Sequence, residues 1–291
     1  MMKENRNVIV IGNFDGFHLG HKEIVKNALK IAARENSDLI LLTFDPNPKV
    51  FFGIESELIF NCKEKAEYLK RKKIDSIECL DFNKIFNMDG ILFIENLLIK
   101  KYKMKYLIVG ENFKLGKGKE WDVKKIRSIQ NKYGFKIIVI PSVYINDIKI
   151  SSSKIRGFLR KGDIYNANLM LGHRYCITGI VERGENIGTK LGYPTINIPV
   201  KRRILPNGVY ETETEVNNVF YKSITYIGNT PTFGKNRSKI ETHILSFKGE
   251  LYDKEVKIYF LKSIRGEKKF KTKKELITQI ALDIKGIHID K

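Results

Sequence analysis

Gly12-Asn13-Phe14-Asp15-Gly16-Phe17-His18-Leu19-Gly20-His21 decides how the first half of this chain is read. It follows the short apolar run 8–11. It opens a segment, 21–34, in which Ile24, Val25, Ala28, Leu29 and Ala32 recur at helical spacing. A strand, a glycine-rich turn and a helix start in that order expose backbone amides that can hold phosphate oxygens. Gly12, Gly16 and Gly20 let the backbone approach a ligand closely. His18 and His21, three residues apart, fall near one face of the first helical turn and can hydrogen-bond a nucleotide's phosphates. A lone histidine would more often be structural. Two histidines, three glycines and Asp15 at one strand–helix junction point to a nucleotide site.

The pattern continues outward from that junction. Strand-like runs at 39–44, 74–80, 106–109 and 135–140 alternate with helical stretches at 62–72, 90–101 and 121–132. Alternation of this kind implies βαβ units and a parallel sheet, hence a Rossmann-like α/β sandwich. The second half differs. Short runs with a period of two occur at 175–181, 208–214, 220–227, 239–247 and 255–261, separated by Gly, Pro and Asn. They predict an antiparallel β-barrel or sandwich, closed by one terminal helix at 273–284. Two short helices, 152–160 and 163–171, lie between the halves. The boundary is placed near Gly172, giving domains 1–171 and 172–291.

Composition bounds the function. The chain has 291 residues and 42% hydrophobic residues, which suits a globular protein. Its 53 basic and 33 acidic residues give a net charge of +20, which fits nucleic acid, a membrane surface or anionic substrates. The lysines are spread along the chain, and no RRM, KH or helix-turn-helix signature accompanies them, so no nucleic-acid partner is expected. No run approaches 18 apolar residues, and the apolar start is too short for a signal segment, so neither a membrane nor secretion is expected. The expected location is cytoplasmic. Cys62, Cys79 and Cys176 are odd in number and lack a CxxC pair. Neither a zinc site nor a disulfide is expected.

The segment at 12–21 resembles the HxGH motif of nucleotidylyltransferases, and as a whole it is similar to the version in bacterial bifunctional riboflavin kinase/FMN adenylyltransferases. Further matches follow in order. Thr43-Phe44-Asp45-Pro46-Asn47-Pro48 resembles the family's second motif. Val109-Gly110-Glu111-Asn112-Phe113 and Gly116 resemble the third. Ile150-Ser151-Ser152-Ser153-Lys154-Ile155-Arg156 resembles the ISSTxxR motif. The resemblance makes His18 and His21 phosphate ligands and Arg156 a stabiliser of the β- and γ-phosphates. It puts Asn13 and Asn112 against the flavin nucleotide or ATP. Gly12, Phe14, Asp15, Gly16, Gly20, Asn47, Ser152 and Ser153 complete that implied site. The implied reaction is in-line attack of the FMN phosphate on the α-phosphorus of ATP, which asks mainly for positioning and charge stabilisation. One position departs from the pattern: the family commonly has Pro-His-Pro where this chain has Pro46-Asn47-Pro48. Asparagine keeps a hydrogen-bonding side chain but carries no positive charge. A chain with only one working activity is therefore an alternative.

Downstream, the segment 184–197 resembles the riboflavin kinase signature, in which a glycine loop leads into a PTAN motif, here Pro194-Thr195-Ile196-Asn197. Gly184, Gly188 and Gly192, with Lys190, would form a phosphate-binding loop. Thr195 and Asn197 share one face of an extended segment and offer neutral oxygens suited to Mg²⁺. Segments 205–210, 226–234 (with Asn229 and Thr232), 241–245 and 260–265 also match in family order. The resemblance makes Glu241 the base that takes the proton of the riboflavin 5′-hydroxyl, and puts Arg265 on a loop over the flavin. His243 is read as structural. The implied function is conversion of riboflavin to FMN and of FMN to FAD, with ATP and Mg²⁺. The rivals are a nucleic-acid-binding protein, or an HxGH domain acting on another alcohol phosphate or on pantetheine phosphate.

Overall fold

Val8, Ile9 and Val10 are wholly buried and Ile11 nearly so, which makes β1 (Asn7–Ile11) the centre of a parallel sheet. β2 (Leu39–Asp45), β3 (Ser76–Asp81), β4 (Met104–Gly110) and β5 (Lys136–Ile140) complete it in the order β3-β2-β1-β4-β5. Near-continuous apolar strands such as Leu39–Leu42 are what a parallel sheet covered on both faces requires. Among its helices are α1 (Leu19–Glu35), α2 (Pro48–Phe51), α3 (Cys62–Lys70) and α4 (Val123–Tyr133). The strand order reverses between β1 and β4, so the crevice beyond their carboxyl ends is the natural ligand position. The computed structural model describes residues 6–55, 57–70, 72–184, 187–200, 204–232 and 235–288. At 187, 200, 229–232, 235–238 and 288 it describes the backbone alone.

Two expectations change here. The helix expected over 90–101 begins as a short turn, Gly90–Leu92, and continues as a π-helix, Phe93–Lys101. Phe93 and Leu98, five residues apart, are both buried, which the wider π turn permits. No disulfide was expected, yet Cys62 and Cys79 are joined, their Cα atoms 6.9 Å apart. The cause is tertiary: α3 packs along β3, a proximity that cysteine spacing does not encode. Cys176 is free.

The chain divides into compact units Met1–Ser152 and Ser153–Lys291. The linking helices α5 (Ser152–Arg160) and α6 (Ile164–Leu171) thus lie at and beyond that division. Within the second unit, Asn168 on α6 donates to the Phe260 carbonyl at 2.9 Å and accepts from the Tyr175 amide at 2.7 Å.

The second unit is the expected antiparallel barrel. Its strands are β6 (Cys176–Ile180), β7 (Ile196–Val200), β8 (Gly208–Val216), β9 (Val219–Thr232), β10 (Lys235–Ile244) and β11 (Glu255–Gly266). They run in the order β6-β11-β8-β9-β10-β7. The edges almost meet, because the Glu182 amide, just beyond β6, donates to the Asn197 carbonyl of β7 at 2.9 Å. α7 (Lys273–His288) ends the chain. The run Glu211-Thr212-Glu213-Thr214-Glu215 reads as polar throughout, yet Thr212 and Thr214 are fully buried. Their hydroxyls join those of Ser223, Thr225 and Thr242 in a chain of 2.8–2.9 Å hydrogen bonds that satisfies every member inside the barrel.

Candidate active sites

In the first unit, β1 delivers the chain at Gly12 into the turn that starts α1. His18 is the N-cap of that helix, and its Nδ1 accepts from the His21 amide at 3.4 Å. The two imidazoles stack with centroids 3.6 Å apart, and Phe14 meets His21 edge-on at 5.1 Å. The turn is braced from several sides. Asp15 Oδ1 accepts from the Ile59 and Phe60 amides, both at 2.9 Å. The Asp15 carbonyl accepts from Ser152 Oγ at 2.9 Å. A Cβ on Gly16, whose φ is +76°, would meet Ile59 at 2.8 Å. The His21 Nδ1 is buried with no hydrogen-bond partner. Burial, then the neighbouring His18 and Lys65, hold the His21 imidazole well below the usual histidine range, so it is neutral in the ligand-free protein.

A cavity of about 920 Å³ opens beside this turn. Phe44, Phe52, Phe82, Phe86, Phe93 and Phe113 make its wall, and Gly12, Asn13 and Asn112 join the lining. Thus the loops after β1 and β4 both reach it, as the strand order leads one to expect. Asn47 is 5% exposed, and its Oδ1 caps α2 by accepting from the Lys49 amide at 3.0 Å. Arg156 is buried on α5, beyond the division between the units, and its Nη2 donates to Ser153 Oγ at 3.3 Å.

In the second unit, strand register assembles a row that sequence spacing does not show. Asn197 on β7 pairs with Glu241 on β10, Glu241 with Tyr226 on β9, Tyr226 with Val209 on β8, and Val209 with Arg265 on β11. Glu241 forms an ion pair with Lys239. Arg265, expected on a loop, lies instead within β11, whose pairing to β8 runs on to Gly266, and is held by Asp283 of α7, with Nη2 to Oδ2 at 2.9 Å. Tyr226 donates to Glu267 at 2.8 Å, and burial with that carboxylate pushes its phenol up to about 12. His243 Nδ1–H donates to the Pro194 carbonyl at 2.7 Å.

Gly184 and Gly188 pack tightly against β7 and the residues just before it. A Cβ on Gly184 would lie 2.1 Å from Asn197 Nδ2, and one on Gly188 would lie 2.4 Å from the Tyr193 carbonyl and 2.9 Å from Thr195 Oγ1. Asn197 Oδ1 is left buried without a partner, an oxygen suited to a cation or a ligand donor. Gly184→Ala must therefore displace Asn197. We expect riboflavin phosphorylation to fall roughly 10²-fold, the cost of a misplacement of about 1 Å. Initial rates with FMN-to-FAD conversion as internal control check this, and an unchanged rate would refute the crowding. Lys190 and Gly192 are exposed. The side chains of Asn229 and Thr232 lie outside the described residues, as do Glu185 and Asn186.

Sequence reasoning missed Lys65, Lys239, Tyr226, Asp283 and the phenylalanine wall. Only Lys65 had a local signal: it stands four residues before the buried Leu69, on the buried stripe of α3.

Comparison with known proteins follows the same division. The FAD synthetase family matches residues 1–154 and the riboflavin kinase family residues 171–288. A bifunctional riboflavin kinase/FMN adenylyltransferase of Buchnera aphidicola subsp. Schizaphis graminum is 36% identical, over 98% of this chain and 94% of its own. Those of Escherichia coli K12 and Bacillus subtilis 168 are 31% and 32% identical, over 95% and 97% of this chain and 90% and 91% of theirs. A crystal structure named as a macrolide-efflux protein of Streptococcus pneumoniae superposes with a TM-score of 0.87 at 27% identity, covering 98% of this chain and 95% of that one. Among the described residues, no helix is long and apolar enough to cross a membrane.

Proposed function

The chain belongs to the bifunctional riboflavin kinase/FMN adenylyltransferase family, and from that premise we propose how its residues divide the work. The protein phosphorylates riboflavin to FMN and adenylylates FMN to FAD. We assign adenylyl transfer to residues 1–171 and phosphorylation to residues 172–291.

For phosphorylation, the observation that carries the assignment is the row Asn197–Glu241–Tyr226. Glu241 accepts the proton of the riboflavin 5′-hydroxyl as that oxygen attacks the γ-phosphorus of ATP and ADP leaves with the bridging oxygen. The loop Gly184–Gly192 with Lys190 takes the ATP phosphates, and Pro194, Asn229, Thr232 and Arg265 bound the ligand. Thr195 and Asn197 would hold Mg²⁺; the partnerless Asn197 Oδ1 fits it. When bound, the ion neutralises phosphate charge.

For adenylyl transfer, the phenylalanine-walled cavity takes the isoalloxazine ring, and Asn13 and Asn112 on its rim orient the flavin. His18 and His21, at the start of α1, donate to the triphosphate. Arg156, Ser152 and Ser153 stabilise the departing pyrophosphate. Both reactions draw on ATP, which supports a cytoplasmic location.

Asn47 tests one detail. Its side chain serves as a helix cap, a role that does not need charge. We expect Asn47→His to change FAD formation by less than about tenfold, or about 1.4 kcal/mol in the barrier. Rates with supplied FMN across pH 6–8 check this. A large gain confined to low pH, where the new imidazole is charged, would show instead that the natural site lacks a needed cation.

Purified protein incubated with riboflavin, ATP and Mg²⁺ should form FMN and then FAD, resolved by chromatography. If FMN accumulates and is never converted, the adenylyl assignment fails.

A further inference from the structure

Lys65 is 3% exposed, although the helix that carries it is otherwise rich in solvated charge. Its ammonium lies behind the HxGH turn. Nζ donates to Thr43 Oγ1 at 2.8 Å and to the Asn13 carbonyl at 3.1 Å. Thr43 is fully buried, and its own hydroxyl lies 3.2 Å from the same Asn13 carbonyl. One cation thus ties α3, the end of β2 and the turn after β1 together, directly under the loop that carries both histidines. Burying a charge is costly unless function or partners compensate, and methionine would fill the same space without that cost.

We propose that Lys65 is a positioning residue for adenylyl transfer, clamping the Asn13 turn and setting a fixed positive charge beneath the phosphate-binding histidines. The proposal rests on the reading of that turn as the adenylyl-transfer site.

The electrostatic surroundings give the clamp a measurable signature. Burial brings the Lys65 ammonium down to about 8, against the opposing pull of Asp15 and Asp45. Lys65 in turn helps to keep His21 neutral. The charged and titratable groups facing Lys65 are therefore Asp15 from the turn, Asp45 from the end of β2, and His21 from α1. The clamp bonds are charge-assisted only while the amine is protonated, and such bonds are roughly twice as strong as neutral ones. Activity should therefore decline as pH rises through about 8. The kcat/KM profile reports groups of the free enzyme.

The full-length protein is assayed for FAD formation from supplied FMN and ATP between pH 6.5 and 9.5. Wild type should show an alkaline limb near pH 8, and a flat profile would overturn the proposal without any variant. Lys65→Met should lower FAD formation at pH 7 by roughly 10- to 100-fold, leave riboflavin phosphorylation unchanged, and lose the alkaline limb. Lys65→Arg, which stays charged, should also lose the limb. A Met variant as active as wild type, or one that keeps the limb, would overturn the proposal. In the absence of substrate, the His21 ring resonances followed by NMR should titrate at higher pH in Lys65→Met, since a neighbouring cation is gone. An unmoved titration counts against the electrostatic contact. If wild type forms no FAD from FMN, the reading of the site has failed, and the NMR titration still tests the place of Lys65 within the turn.

Discussion

Glu241→Gln is expected to suppress riboflavin phosphorylation by roughly 10²–10⁴-fold, the usual worth of a general base, while supplied FMN is still converted to FAD. The argument begins with register. Glu241 stands directly across from Asn197 on one side and Tyr226 on the other, so its carboxylate shares a strand face with the oxygen proposed to hold Mg²⁺. Glutamine keeps the shape and one acceptor oxygen but cannot take a proton. It also ends the ion pair with Lys239. Both side chains of that pair retain solvent contact, at 24% and 28% exposure, so the loss costs only about 0–1 kcal/mol. The fold should survive, and a far-UV circular dichroism spectrum verifies it. A variant that phosphorylates riboflavin at the wild-type rate would remove Glu241 from the reaction.

His21→Ala should lower FAD formation by roughly 10²–10³-fold, the typical cost of one lost stabilising donor, with FMN formation unaffected. In the ligand-free protein His21 is neutral, chiefly through burial and then through His18 and Lys65. In the proposed site it would therefore meet the triphosphate as a hydrogen-bond donor, and the arriving negative charge would favour its protonation. Its Nδ1 has no partner in the protein, so truncation breaks no hydrogen bond at that atom. The stacking on His18 and the edge contact with Phe14 are lost. A coupled assay with supplied FMN measures the effect, and undiminished FAD synthesis would exclude His21 from the site.

Legibility in the sequence followed the range of each interaction. The turn at 12–21 is local: its strand, glycines, N-cap and histidines lie within a few residues, so the fold class could be read there and a phosphate site proposed from it. The barrel was legible from alternation. The row Asn197–Glu241–Tyr226–Val209–Arg265 was not, because register between distant strands has no one-dimensional signature. The same holds for the phenylalanine wall. Phe44 lies next to last in β2, Phe52 follows α2, Phe93 opens the π-helix and Phe113 follows β4. Each reads locally as an ordinary apolar residue, and only the folded sheet collects them. Lys65 drew no reading of its own, because a buried amine needs partners from β2 and the turn after β1 that sequence spacing cannot supply. The joined Cys62 and Cys79 illustrate the same limit.

The central claim is that one chain carries two separate sites for two consecutive reactions. Mixing the Glu241→Gln and His21→Ala proteins with riboflavin, ATP and Mg²⁺ tests it most directly. The account predicts that the first protein alone leaves riboflavin unchanged and that the second alone stops at FMN. The mixture should form FAD, because FMN released by one is adenylylated by the other. Loss of both activities in either variant, with the fold intact and no FAD from the mixture, would contradict it.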